Sequence, residues 1–129
     1  MKSKSKGLTA SLRVAVEAAL EKQARDVTLL ELDEASSFTD HFLICSGANS
    51  RQIQTISDEI ERRLRIAGLR PLHVEGYNHG EWVLMDYMDF VVHVFSERAR
   101  TFYDLERLWR TARRIPVEEQ EQKKREPGA

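Results

Sequence analysis

Apolar positions along the chain change period several times, and each change predicts a new element. From Thr9 to Arg25, Leu12, Ala15, Val16, Ala19 and Leu20 recur at helical spacing, with Thr9 or Ser11 suited to the N-cap. Val27-Thr-Leu-Leu-Glu-Leu32 then has the composition of a strand, and Asp33 to Thr39 is a polar connection. His41-Phe-Leu-Ile-Cys-Ser46 is nearly continuous in apolar character, as a strand covered on both faces would be, and Gly47 ends it. The strongest helical stripe follows, with Ile53, Ile56, Ile60, Leu64 and Ala67 on one side. Its other side carries Arg51, Asp58, Glu59, Glu61, Arg62, Arg63 and Arg65 and reads as solvated. Asn49 or Ser50 can cap its start, Gly68 stands at the C′ position, and Pro71 blocks continuation.

Three strand-like runs crowd the next stretch: Leu72 to Glu75, Glu81 to Asp86 and Phe90 to Phe95. The connections, Gly76-Tyr-Asn-His-Gly80 and the turn Asp86-Tyr-Met-Asp89, are short enough to predict antiparallel neighbours. A helix is predicted from about Arg98 to Arg113, turning Phe102, Leu105, Leu108, Trp109 and Ala112 inward. The step from Phe42 through a helix to Val74 predicts a right-handed parallel crossover. The order implies an α/β fold with a mixed five-stranded sheet flanked by helices. At 129 residues there is room for one domain, over residues 9–115. A flexible basic arm (1–8) precedes it and a disordered charged tail (116–129) follows.

Composition narrows the function classes. The formal net charge is −1, so the whole molecule is not an electrostatic nucleic-acid binder. No apolar run approaches the ~20 residues that span a bilayer. Met1 to Gly7 lacks the apolar stretch of a secretory signal, and Glu17 and Glu21 argue against a mitochondrial presequence. The single cysteine, Cys45, excludes an internal disulfide and fits a reducing compartment, so a cytoplasmic location is expected.

Candidate chemistry is sparse. The histidines are His41, His73, His79 and His93, and His41 and Cys45 lie ~13 Å apart along a strand at ~3.3 Å per residue. Asp89 and His93 are separated in the same way, so no metal is expected. Ser46-Gly-Ala-Asn-Ser-Arg51 joins a strand to a helix start, where free N–H groups could hold an anion with Ser50 and Arg51. This turn resembles the glycine-serine turn of nucleotidyltransferases, on a similar run of elements. Those enzymes need paired carboxylates for Mg²⁺, whereas Asp89-Phe-Val-Val-His93 has no acid two residues on. The topology is therefore nucleotidyltransferase-like without the catalytic carboxylates, and a helix cap is the main role of the turn. Cys45 sits in an apolar strand and no Gly-x-Ser-x-Gly elbow occurs, so neither an enzyme nor a cofactor is expected.

What remains is a surface. From Glu75 to Glu106 there are seven acids against two arginines, Arg98 and Arg100, a local charge of −5 that points to a cationic partner. Strand alternation places Trp82, Leu84 and Asp86 on one face and Val83, Met85 and Tyr87 on the other. From pattern alone Trp82 fits equally an interface anchor and a core residue with an acid at the strand end.

Several blocks bear on this choice. Ser37-Phe-Thr-Asp-His-Phe-Leu-Ile-Cys-Ser-Gly47, Gly68-Leu-Arg-Pro-Leu72, Val74-Glu-Gly76, Glu81-Trp-Val-Leu-Met-Asp86, Asp89-Phe-Val-Val-His-Val-Phe95 and Phe102-Tyr-Asp-Leu-Glu-Arg-Leu-Trp109 closely resemble the ribosomal silencing factor family, also called Iojap-like. One departure is Tyr87-Met88, where relatives often carry Gly before the aspartate. The resemblance implies a factor that binds the large ribosomal subunit through its ribosomal protein number fourteen. There it would sterically block subunit joining and repress translation under nutrient limitation. It implies contacts through Trp82 and Asp86, with Glu75, Gly76, Leu84 and Tyr87 as neighbours. A homodimer would cover the same face when the ribosome is absent. Two rivals are a vestigial nucleotide-binding protein and an RNA-binding module using Arg51, Arg62, Arg63 and Arg65. Contact of the arm and tail with ribosomal RNA would be peripheral.

Overall fold

The computed structural model describes residues 9–32 and 39–116. The expected flexible arm (1–8), the tail beyond Pro116 and residues 33–38 of the polar connection lie outside the described residues. The chain runs through α1 (Ala10–Glu21), β1 (Arg25–Glu31), β2 (His41–Gly47), α2 (Ser50–Ile66), β3 (His73–Glu75), β4 (Trp82–Asp86), β5 (Phe90–Ser96), α3 (Glu97–Tyr103), α4 (Leu105–Leu108) and β6 (Arg113–Ile115).

Local chemistry sets the helix ends. The Thr9 hydroxyl accepts from Leu12 N at 3.2 Å, which makes Thr9, not Ser11, the cap of α1. Asn49 Oδ1 accepts from Gln52 N at 2.8 Å and starts α2. At the other end Gly68 takes φ +93, its N–H bonding Arg65 O and that of Leu69 bonding Leu64 O. This is a Schellman motif, and Leu69 closes it by packing on the core.

The strands form one mixed sheet of order β3-β4-β5-β2-β1-β6. Among the described strands, only β2 and β5 pair in parallel. The connection through α2 carries the chain from β2 past β5 and β4 to the far edge, and β3, β4 and β5 then pair antiparallel as their short turns predicted. The sheet has six strands, not the expected five. β6 is three residues long and contains two arginines, so it has no alternating apolar signal. It is held by Ile115 opposite Leu29 and by an Arg113–Glu31 ion pair at 2.9 Å.

The closing helix is also shorter than expected. Asp104, at φ +48, breaks it into α3 and α4. Leu105, Trp109 and Ala112 still pack inward, but Phe102 is 77% exposed and Leu108 72% exposed. A continuous helix would have kept one stripe in register, whereas the break at Asp104 turns α4 away from it.

The two faces of the sheet differ. Leu43, Cys45, Val83, Met85, Val92 and Val94 pack beneath α1 and α2 in the main core. Phe42, Ile44, Val91 and Phe95 form the second face, under α3, α4 and the segment to Ala112. That cover does not reach the end of the sheet, so Leu84 and Asp86 stay half-exposed and all of β3 is exposed.

Candidate protein-docking face

Along β4 the pleat buries Val83 and Met85 among the helices and leaves Trp82, Leu84 and Asp86 half-buried on the open face. Trp82 is therefore neither wholly core nor free. Its ring stacks on Phe95 at 4.9 Å and lies 4.6 Å from Tyr103. Its indole Nε1 donates to His93 Nδ1 at 3.1 Å. An acceptor at Nδ1 fixes His93 as the neutral tautomer protonated on Nε2. Burial has the same effect, pushing the His93 pKa down to about 4. Phe42 meets the His93 ring edge-on at 4.6 Å, so the support under Trp82 is aromatic throughout.

The neighbouring strand adds charge. In the β3–β4 register Glu75 lies opposite Leu84 and His73 opposite Asp86, which puts both side chains on the open face. His73 Nε2 and Glu75 Oε2 are 2.6 Å apart. The sequence reading missed His73, although its i, i+2 relation to Glu75 carried the signal. Gly76 ends β3 at φ +82, and a Cβ there would lie 2.0 Å from the Trp82 carbonyl oxygen. Only glycine lets the loop pass so close to the strand that presents Trp82.

Asp86 has a second task. Its Oδ1 accepts from Met88 N at 2.8 Å and holds the β4–β5 turn, leaving further acceptor capacity on the carboxylate. Met88 takes φ +74, and Asp89 N bonds Tyr87 O at 2.9 Å, so the turn is as tight as three residues allow. Tyr87 is not brought to the face. It is 4% exposed on the helix side, stacked on Phe90 at 5.2 Å, with its hydroxyl pKa pushed up to about 12 by burial. Strand alternation dictates this separation from Trp82.

Ser50 and Arg51 open α2, on the helix-covered side. Two N–H groups of that turn are already used, Ala48 N by Gln52 Oε1 at 2.6 Å and Gln52 N by Asn49 Oδ1. Gly80 packs against Ser50, where a Cβ would come within 2.7 Å of the Ser50 Cβ. The arrangement is that of a capped helix start, with Ala48 to Arg51 exposed.

A cleft of about 520 Å³ does open at the carboxyl ends of β2 and β5, between Thr28, Ser46, Arg100 and Glu106. Arg100 donates to Ser46 Oγ, Thr28 Oγ1 and both oxygens of Glu106, at 2.9 to 3.1 Å. The cation is thus spent on its own neighbours, and the ion pair holds the Glu106 carboxyl below the usual carboxylate range. Asp86 and Asp89 lie at the opposite end of β5 from this cleft. Among the described residues, no three of His, Cys, Asp and Glu group as a metal site would require, and no helix is long and apolar enough to cross a membrane.

Comparison with known proteins agrees with the sequence blocks. The pattern of the family described as "Ribosomal silencing factor during starvation" matches residues 5–129. A protein of Bacillus subtilis named "Ribosomal silencing factor RsfS" is 39% identical over 76% of this chain and 83% of its own length. A protein of the same name from Halalkalibacterium halodurans is 38% identical over 83% of this chain and 92% of its own. A crystal structure of a Chromobacterium violaceum protein superposes with a TM-score of 0.76 at 30% identity, covering 81% of this chain and 87% of that one. With matches over most of its length in both sequence and fold, this chain belongs to the ribosomal silencing factor family.

Proposed function

We propose that this protein binds the large ribosomal subunit by pressing the open face around Trp82 onto ribosomal protein number fourteen, and that its bulk then blocks subunit joining. The observation that carries this reading is the state of Trp82. The indole is half-exposed, yet its plane is fixed by Phe95, Tyr103 and the hydrogen bond to His93. A large aromatic group held rigid at a surface loses little entropy when a partner covers it, which is how interface hot spots gain their energy. Leu84 extends the apolar centre, and Glu75 and Asp86 supply an acidic rim for a basic ribosomal protein.

The mechanism is steric and electrostatic, with no bond made or broken and no cofactor. A cytoplasmic site of action goes with it. Against the RNA-binding alternative, three of its four arginines, Arg62, Arg63 and Arg65, are paired with Glu59, Glu21 and Glu61. The test is co-sedimentation with purified large subunits, followed by addition of small subunits. Wild type should sediment with large subunits and lower the yield of joined ribosomes. Undiminished binding by Trp82→Ala and Asp86→Ala would sink this site.

A further inference from the structure

Beyond Trp82 the aromatic surface continues. Ala99, Phe102 and Tyr103 fall at i, i+3 and i+4 on α3, so they share one helical face. Ala99 is buried against the sheet, Tyr103 overhangs Trp82, and Phe102 meets Tyr103 edge-on at 5.0 Å. The rings of Phe95, Trp82, Tyr103 and Phe102 therefore form an unbroken series from core to solvent, every step 5.0 Å or less. Isolated exposed apolar residues are ordinary, but a contiguous aromatic series ending in an uncovered ring marks a contact surface.

We infer that Tyr103 and Phe102 are the second half of the docking face, an aromatic arm that receives an apolar patch on the same basic ribosomal protein. This rests on the reading of Trp82 given above. Charge selects the occupant. A second copy meeting this face by two-fold symmetry would set the Glu75 and Asp86 rim of one chain against that of the other, whereas a basic protein neutralises it. The chain's own termini are poor covers, since residues 1–8 and 117–129 contain no aromatic side chain. The break at Asp104 ends α3 just after Tyr103, and Phe102 in that last turn is left exposed.

The experiment compares full-length wild type, Phe102→Ser, Phe102→Trp and Trp82→Ala for binding to purified large subunits, with thermal melting as the folding control. Because Phe102 is so exposed, Phe102→Ser should melt like wild type yet bind at least tenfold more weakly, and Phe102→Trp should retain binding. Binding by Phe102→Ser within twofold of wild type, alongside weakened Trp82→Ala, would overturn the arm and leave the Trp82 reading standing. If Trp82→Ala also binds normally, the reading beneath it fails as well. Loss of self-association by Phe102→Ser, with subunit binding intact, would overturn the proposal by making the occupant a second copy.

Discussion

Met88 holds the left-handed conformation with a side chain 61% exposed, so it accepts backbone strain without gaining burial in return. A non-glycine residue there costs roughly 1–2 kcal/mol. Glycine, with no Cβ, would relieve it. Met88→Gly should stabilise the fold by roughly 0.5–1 kcal/mol after the entropy of the freer unfolded chain is counted, as urea unfolding would show. Under Trp82, His93 gives the fold a pH dependence. His93 is neutral in the fold with its pKa lowered to about 4, whereas the unfolded chain binds a proton near the ordinary value of 6.5. Between those values the unfolded state holds more protons, so stability falls as pH drops from about 6.5 to 4, by up to roughly 3 kcal/mol. His41, its pKa also lowered by burial, adds to the same trend. His93→Gln keeps an acceptor for the indole and should flatten most of this slope in denaturation measured at pH 4 to 7.

Elements with strong local signals are legible in the sequence. The isoleucine stripe of α2, its Gly68 stop and the antiparallel β3–β5 meander all follow from spacing and turn chemistry. Legibility ended where tertiary pairing overrides local preference. β6 exists because residues 113–115 pair along the free edge of β1, with Ile115 opposite Leu29 and Arg113 opposite Glu31, and no pattern within three residues announces that. Asp104 breaks the last helix in a conformation a sequence does not advertise. The face itself was half-legible: alternation put Trp82, Leu84 and Asp86 together and Tyr87 opposite, but His73 needed the β3–β4 register and Phe102 needed the break. One ambiguity left by the sequence has a direct test at this scale. Asn49, not Ser50, caps α2, so Asn49→Ala should cost about 1 kcal/mol while Ser50→Ala changes little in thermal unfolding.

For the whole molecule, the distribution of charge matters more than its sum. Arg62, Arg63 and Arg65 of α2 are paired with acids in place, and hydrogen bonds from Arg62 and Arg63 hold the Glu59 carboxyl down to about 2. Arg100 is likewise absorbed by Glu106. Glu75 and Asp86 remain to give the open face its sign, beside an aromatic centre that the fold supports but does not cover. On the proposed function, that face meets a protein and not RNA. Calorimetric titration of the full chain with isolated ribosomal protein number fourteen, free of ribosomal RNA, tests this most directly. Saturable one-to-one binding is expected, weakened about thirtyfold by Trp82→Ala, the loss that follows when an interface hot spot worth ~2 kcal/mol is truncated. Absence of binding to the isolated protein, with free ribosomal RNA bound instead and released steeply by salt, would contradict it.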